Sequence, residues 1–229
     1  MSLENEFVLS EFYKIITPSK VEKFERIAAN RTNYLTIALE NIYQEHNASA
    51  VIRTCDCFGI QNLHVIEKEH QYALKRDIAL GAGRWVDLKN YNLGENPAGS
   101  CISALKKKGY KIVSTSPHSR ELSIDNLPLS QPLALFFGSE RKGLSQDILT
   151  QSDFKVHLPM YGFTESFNIS VSVAIAINTL RQRLEKSEHF WKISKEEQTQ
   201  LKIKWCVKIL NGGEGIEKQL RHLFSKKEL

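Results

Sequence analysis

Residues 133–143 read LALFFGSERKG, and this stretch decides the fold. Leu133 to Phe137 are five apolar residues in a row. They have neither the alternation of a half-buried strand nor the length of a helix. A run this short, closed by Gly138, reads as a strand covered on both faces. Similar short apolar runs recur on either side, at Leu35–Leu39 (LTIAL), Leu63–Ile66 (LHVI), Lys111–Ser114 (KIVS) and Phe154–Leu158 (FKVHL). Trp85–Leu88 is a further candidate. Between them lie helix candidates at Ala48–Phe58, Tyr72–Leu80, Pro97–Lys107 and Ser145–Gln151. Apolar strands alternating with helices predict an α/β fold with a parallel sheet.

Outside this core the pattern turns helical and charged. Val21, Phe24, Ile27 and Ala28 recur at helical spacing after Thr17-Pro18-Ser19, where Ser19 can cap and Pro18 suits a first turn. Lys14, Lys20, Lys23, Arg26 and Arg31 make this arm basic. At the other end, Ser194 and Glu197 form a capping box, and Asn211-Gly212-Gly213 stops the helix it starts. The expected organisation is a helical arm over residues 1–33, an α/β domain over 34–187 and a helical extension over 188–229. A helix over Asn168–Leu184 is apolar nearly all round in its first half, which predicts burial inside the fold or at a subunit contact.

Composition excludes several classes. The chain has 229 residues, 41% hydrophobic and 25% charged, ordinary values for a globular protein. No stretch reaches the roughly 18 apolar residues of a membrane span. The start, MSLENEF, lacks the basic region of a secretory signal, so a cytoplasmic protein is expected. Its net charge of +5 permits a nucleic-acid partner without requiring one. Cys55, Cys57, Cys101 and Cys206 fit no zinc spacing, and the seven histidines show no metal-binding pair. Gly81-Ala82-Gly83 does not complete a dinucleotide fingerprint. Gly138 and Gly143 have phosphate-loop spacing, but Leu144-Ser145 stands where Lys-Ser/Thr is required.

Three segments carry candidate chemistry. Asn41–Arg53 follows a strand and opens a helix, where α/β sheets place their sites. Asn47 can cap that helix. Arg53 lies among small apolar residues, which suggests a buried carboxylate or an anionic substrate group as its partner. In Leu133–Gly143, Gly138 permits close approach of a ligand or of another backbone, and Glu140 stands at the strand mouth. In Phe154–Ala174, Ser166 can cap the apolar helix, and Asn168 within it needs polar partners.

The strings HNASAVIRTCDCFG, FFGSERKGLS and LPMYGFTESFNISVSVA, in this order, resemble the TrmH/SpoU branch of the SPOUT superfamily of RNA methyltransferases. The resemblance covers roughly residues 35–184. It implies a C-terminal trefoil knot, which would hold S-adenosylmethionine through Thr115, Gly138, Leu158 and Phe167. It implies a homodimer with the apolar helix in the interface. It implies methyl transfer to a ribose 2′-hydroxyl, in the nearest branch that of the D-loop guanosine at tRNA position 18. Arg53, Asn47, Glu140, Ser166 and Asn168 would form the catalytic set. No metal would be required, because a sulfonium methyl is already a strong electrophile. Lys23, Arg31, Arg181 and Arg183 are candidate phosphate contacts. A ribosomal RNA methyltransferase of the same family, a non-catalytic knotted RNA-binding protein and a generic nucleotide-binding domain stay open as alternatives.

Overall fold

The computed structural model describes residues 2–42, 44–67, 81–117, 119 and 121–227. These divide into two compact units, residues 32–191 and residues 1–31 together with 192–229. The predicted helix over Tyr72–Leu80 lies outside the described residues.

The larger unit is built on a parallel sheet. Its strands are β1 (Leu35–Glu40), β2 (Asn62–Ile66), β3 (Asp87–Tyr91), β4 (Lys111–Thr115), β5 (Leu122–Ser123), β6 (Leu133–Phe137) and β7 (Phe154–His157). Among the described residues they form one seven-stranded sheet in the order β3-β2-β1-β6-β4-β7-β5. Every pairing is parallel; Leu35 faces Leu133 and Lys111 faces Leu133 from the other side. The central strands carry apolar residues at consecutive positions because both faces are covered. Leu35, Ile37, Leu39, Leu133, Leu135 and Phe137 enter one core cluster, with Val51 and Ile52 and with Val173 and Ile177. Ala38, Ala134 and Phe136 enter the other, with Cys101, Ile102 and Ile148.

Eight α-helices occur among the described residues, divided between the two units. In chain order, the helices are α1 (Leu3–Ile15), α2 (Pro18–Ala28), α3 (Glu45–Cys57), α4 (Pro97–Lys107), α5 (Gln146–Gln151), α6 (Ile169–Glu185), α7 (Lys195–Ile209) and α8 (Gly213–Lys227). Pro18 occupies the first turn of α2 with Thr17, not Ser19, at the cap. Burial of α6 is one-sided: Ile169, Val173, Ala176, Ile177 and Leu180 are buried, while Val171 is 43% exposed. The candidate strand Trp85–Leu88 is displaced to Asp87–Tyr91, at the sheet edge. An edge strand tolerates the polar Asp87, Lys89 and Asn90 because one side needs no apolar cover.

The smaller unit consists of α1, α2, α7 and α8. The capping box forms, with the Ser194 amide donating to Glu197 Oε2 at 2.8 Å and the Glu197 amide to Ser194 Oγ at 3.2 Å. Phe24 meets Trp205 edge-on at 5.3 Å between ring centroids. Lys202 donates to both oxygens of Glu25, at 2.7 and 2.8 Å, and the Tyr13 hydroxyl donates to Oε1.

His64, on β2, is buried beside Tyr91 of β3, its Nδ1 3.2 Å from the phenol oxygen. Burial, with Lys89 and Lys108 as lesser positive neighbours, pushes its pKa down to about 3 from the ordinary 6.5. In the unfolded chain the imidazole takes its proton at the ordinary value, so below pH 6.5 the unfolded state binds more protons than the folded one. The stability held by neutral His64 is complete above pH 6.5 and is lost progressively toward pH 3. Urea midpoints should therefore fall between pH 7 and pH 4. In His64→Gln, which has no ring to protonate, the fall should be smaller; equal slopes would exclude His64 as a source.

Among the described residues no helix is long and apolar enough to cross a membrane, and no group of three or more His, Cys, Asp or Glu could hold a metal ion.

Candidate active site

The loops leaving the carboxyl ends of β6 and β7 build the site, where an open α/β sheet offers its crevice. After Phe137 the chain turns back on itself. The Gly143 amide donates to the Ser139 carbonyl at 2.8 Å, and the Lys142 amide to Ser139 Oγ at 3.3 Å. Gly143 takes a positive φ of 65° to make the turn. A Cβ on Gly138 would sit 2.1 Å from the Gly143 carbonyl carbon and 2.4 Å from the Leu144 nitrogen. The close approach that Gly138 permits is therefore that of another backbone.

Glu140 projects from this turn and meets two carboxamides from distant segments. Asn47 Nδ2 donates to Glu140 Oε1 at 2.8 Å. Asn168 Nδ2 donates to Asn47 Oδ1 at 3.1 Å and lies 3.4 Å from Glu140 Oε1. Asn47 is 2% exposed and Glu140 and Asn168 are exposed, so the trio is anchored at its base and open above. Two expectations about caps are corrected. Gln44, not Asn47, is the N-cap of α3, and Asn47 turns its amide to Glu140 and to Gln44 Oε1. Asn168, not Ser166, is the N-cap of α6, its Oδ1 accepting from the Ser170 amide at 2.9 Å and from Ser170 Oγ at 2.6 Å. Glu140 Oε2 takes no hydrogen bond among the described residues, which leaves an acceptor facing out.

Beside the trio lies a cleft of about 450 Å³. Thr115, Gly138, Leu158 and Phe167, the four residues expected to hold a cofactor, all line it, together with Glu140 and Ser166. The Thr115 hydroxyl donates to the Phe136 carbonyl at 2.8 Å, which fixes the end of β4 against β6. Leu144, Leu149 and Ile169 give the cleft apolar surface, and Arg141, Lys142 and Glu165 give it charge of both signs. Its size falls in the range of about 300–1,000 Å³ usual for small-ligand sites. Sequence reading missed Ser116, Pro117, Met160, Ser172 and these charged residues. Arg141 and Lys142 had a signal, since they sit in the turn already singled out.

Arg53 is placed elsewhere. It is exposed on α3, six residues beyond Asn47, about 9 Å further along the axis and about 120° around it. Among the described residues it makes no hydrogen bond or ion pair, so the expected buried carboxylate partner is absent. Its guanidinium faces solvent.

The basic candidates divide. Lys23 is exposed on α2. Arg31 is 1% exposed, with its guanidinium 5.5 Å from the Trp205 ring centre. Arg181 is 8% exposed, lies 3.9 Å over the Trp191 ring and bonds Glu185. Arg183 donates to the carbonyls of Ile124 and Leu127 at 3.1 and 2.7 Å. Arg31 and Arg181 are thus buried and Arg183 half-buried, their guanidiniums engaged with tryptophan rings, the Glu185 carboxylate and backbone carbonyls.

Comparison with known proteins gives three findings. The family model described as "SpoU rRNA Methylase family" matches residues 34–178. A protein of Borreliella burgdorferi named tRNA (guanosine(18)-2′-O)-methyltransferase is 40% identical over 210 residues, covering 92% of this chain and 93% of that protein. The crystal structure of the A. aeolicus TrmH/SpoU tRNA modifying enzyme superposes with a TM-score of 0.73 at 26% identity, covering 84% of this chain and 98% of that one.

Proposed function

Because the chain belongs to the SpoU rRNA methylase family, we infer that it transfers methyl from S-adenosylmethionine to the ribose 2′-hydroxyl of guanosine 18 in tRNA. The observation that carries the substrate is the match to the Borreliella enzyme over 92% of the chain. That match extends well beyond residues 34–178, the part common to the family, into the terminal helices.

The cleft suits this cofactor. A nucleoside carrying an amino-acid tail needs an apolar wall for its base, which Leu144, Leu149 and Leu158 supply. It needs charged groups for its tail, which Glu165, Arg141 and Lys142 supply. Thr115, Gly138, Leu158 and Phe167 would hold it. When bound, S-adenosylmethionine provides an electrophilic methyl on a sulfonium; the rest of the work falls to the protein. That work is alignment of the hydroxyl and stabilisation of its oxygen as the proton leaves. Asn47 and Asn168 fix the Glu140 carboxylate, whose outward Oε2 can accept from a ribose hydroxyl. Ser166, on the loop before α6, shapes the cleft beside it. Arginine is effectively never deprotonated in proteins, so Arg53, exposed on α3 outside the cleft, would serve by holding a phosphate of the RNA rather than by taking a proton.

The same reading includes three features. The placement of β6 between β1 and β4, with α6 packed into the core cluster of α3, supports a threaded C-terminal segment, the trefoil knot. The outward Val171, with Phe163 and Tyr161 at 108% and 97% exposure before it, supports a homodimer through α6 and its approach loop. The terminal helices, with exposed Lys20, Lys23 and Arg26, form the RNA-binding part of a cytoplasmic enzyme.

The test is transfer of labelled methyl from S-adenosylmethionine to unmodified tRNA transcript, followed by nucleoside mapping. Label is expected on the 2′-oxygen of guanosine 18. Label on ribosomal RNA alone would overturn the substrate, and S-adenosylmethionine binding without any RNA methylation would overturn the activity.

A further inference from the structure

One buried charge near the site is unused by the chemistry above. Glu40 is the last residue of β1, and it is 3% exposed. A carboxylate withdrawn from water needs compensating partners. Glu40 Oε2 accepts the backbone N–H of Ser145 at 2.7 Å, across 105 residues of sequence. Such a charge-assisted bond is short and about twice as strong as a neutral one.

Its position explains its use. Along β1 the side chains alternate between faces, so Glu40 points to the face of Ala38, which is also the face of Leu144 and Ile148. Ser145 is the N-cap of α5 and closes the turn that begins at Gly138. Within that turn Gly143 and Leu144 line the cleft, and Glu140 joins the trio. At its near end the turn is closed by its own backbone, through Gly138 and the Ser139–Gly143 bond. At its tip it is gripped by Asn47, and at its exit by Glu40. Both grips come from one short stretch, residues 40–47. Its second residue, Asn41, still bonds the Ile66 carbonyl through its amide at 2.9 Å and takes a φ of 52°, so the chain turns out of β1 there. The Ser145 hydroxyl makes no cap bond, which leaves the backbone N–H as the contact that fixes the exit.

We propose that Glu40 is a positioning residue: through the Ser145 amide it sets the 138–145 turn, and with it both the cofactor wall and the Glu140 carboxylate. Glu40 does not line the cleft and does not touch the reacting atoms. The proposal rests on the methyltransferase reading for its effect on catalysis, and on geometry alone for its effect on the turn.

The experiment compares Glu40→Ala, Glu40→Gln and Ser145→Pro in the full chain. Glutamine keeps an oxygen that can accept from the Ser145 amide. Proline removes that N–H at a residue whose φ of −64° already suits it. Loss of a charge-assisted bond predicts, for the alanine and proline variants, about tenfold or greater weakening of S-adenosylmethionine binding by calorimetry. It predicts comparably faster amide exchange across 138–145. Glu40→Gln should stay within about threefold of wild type in both. If Glu40→Ala fails to fold, the glutamine and proline variants decide. Unchanged affinity and exchange in the folded alanine or proline variant would overturn the proposal, as would a glutamine variant as impaired as alanine. If the wild-type protein bound no S-adenosylmethionine, the methyltransferase reading would fall. The exchange measurement would still decide whether Glu40 sets the turn.

Discussion

Gly138→Ala should close down the cleft. The added methyl would lie 2.1 Å from the Gly143 carbonyl carbon, 2.2 Å from its oxygen and 2.4 Å from the Leu144 nitrogen. All three are backbone atoms, so no side chain can swing away. The 138–145 turn must open instead, and it is held at Asn47 through Glu140 and at Glu40 through Ser145. Overpacking a well-filled site costs about 1–3 kcal/mol, and occasionally more. Here the strain falls on the cleft wall itself. The expected result is a urea midpoint lowered to match, together with loss of S-adenosylmethionine binding by at least about tenfold, each 1.4 kcal/mol being one decade. A variant with wild-type midpoint and wild-type affinity would show that the turn is looser than these distances require.

Arg53→Ala should separate catalysis from folding and from cofactor binding. Arg53 is exposed, makes no hydrogen bond or ion pair among the described residues, and is absent from the cleft lining. Its removal leaves no buried partner uncompensated, so the urea midpoint should match wild type. Calorimetric affinity for S-adenosylmethionine should also match. Methyl transfer to tRNA should fall by about tenfold or more, the cost of losing a hydrogen bond to a charged phosphate being about 1.5–3 kcal/mol. Arg53→Lys should recover only part, because an ammonium keeps the charge and loses the planar fork. A loss shared equally by affinity, midpoint and transfer would make Arg53 a structural residue. Unchanged transfer would remove it from the reaction.

How far the site was legible depended on the distance over which each residue is constrained. Leu133–Phe137 was read correctly because burial on both faces writes itself into consecutive positions. Leu122-Ser123 was missed as a strand, since two residues carry no period. Asn47 reads from sequence as a helix cap and Asn168 as a polar group inside a helix that needs partners, and the structure exchanges these roles. Asn47 lies inside the first turn of α3, while Asn168 is itself a cap. Cap preference alone cannot decide between neighbouring polar residues when a tertiary partner such as Glu140 claims one of them. Arg31 and Arg181 were read as phosphate contacts because charge usually means solvent. Their burial depends on Trp205 and Trp191, which the fold brings up against them as flat cation-binding faces. Glu40 passed unnoticed for a related reason: a carboxylate at the end of an apolar strand reads as the strand's exit into water. Only the Ser145 amide, far along the chain, shows otherwise.

The pairing of the chain's first and last stretches into one unit bears on how the protein is made. Residues 1–31 leave the ribosome early, yet the partners of Phe24 and Glu25, Trp205 and Lys202, are synthesised after the whole of 32–191. At ordinary elongation rates that interval is roughly 8–30 s. During it, the 32–191 unit can close while the amphipathic α2 waits with Phe24 uncovered, an open invitation to chaperones. Translation halted near residue 191 would leave α1 and α2 without the α7 and α8 surfaces that they pack against.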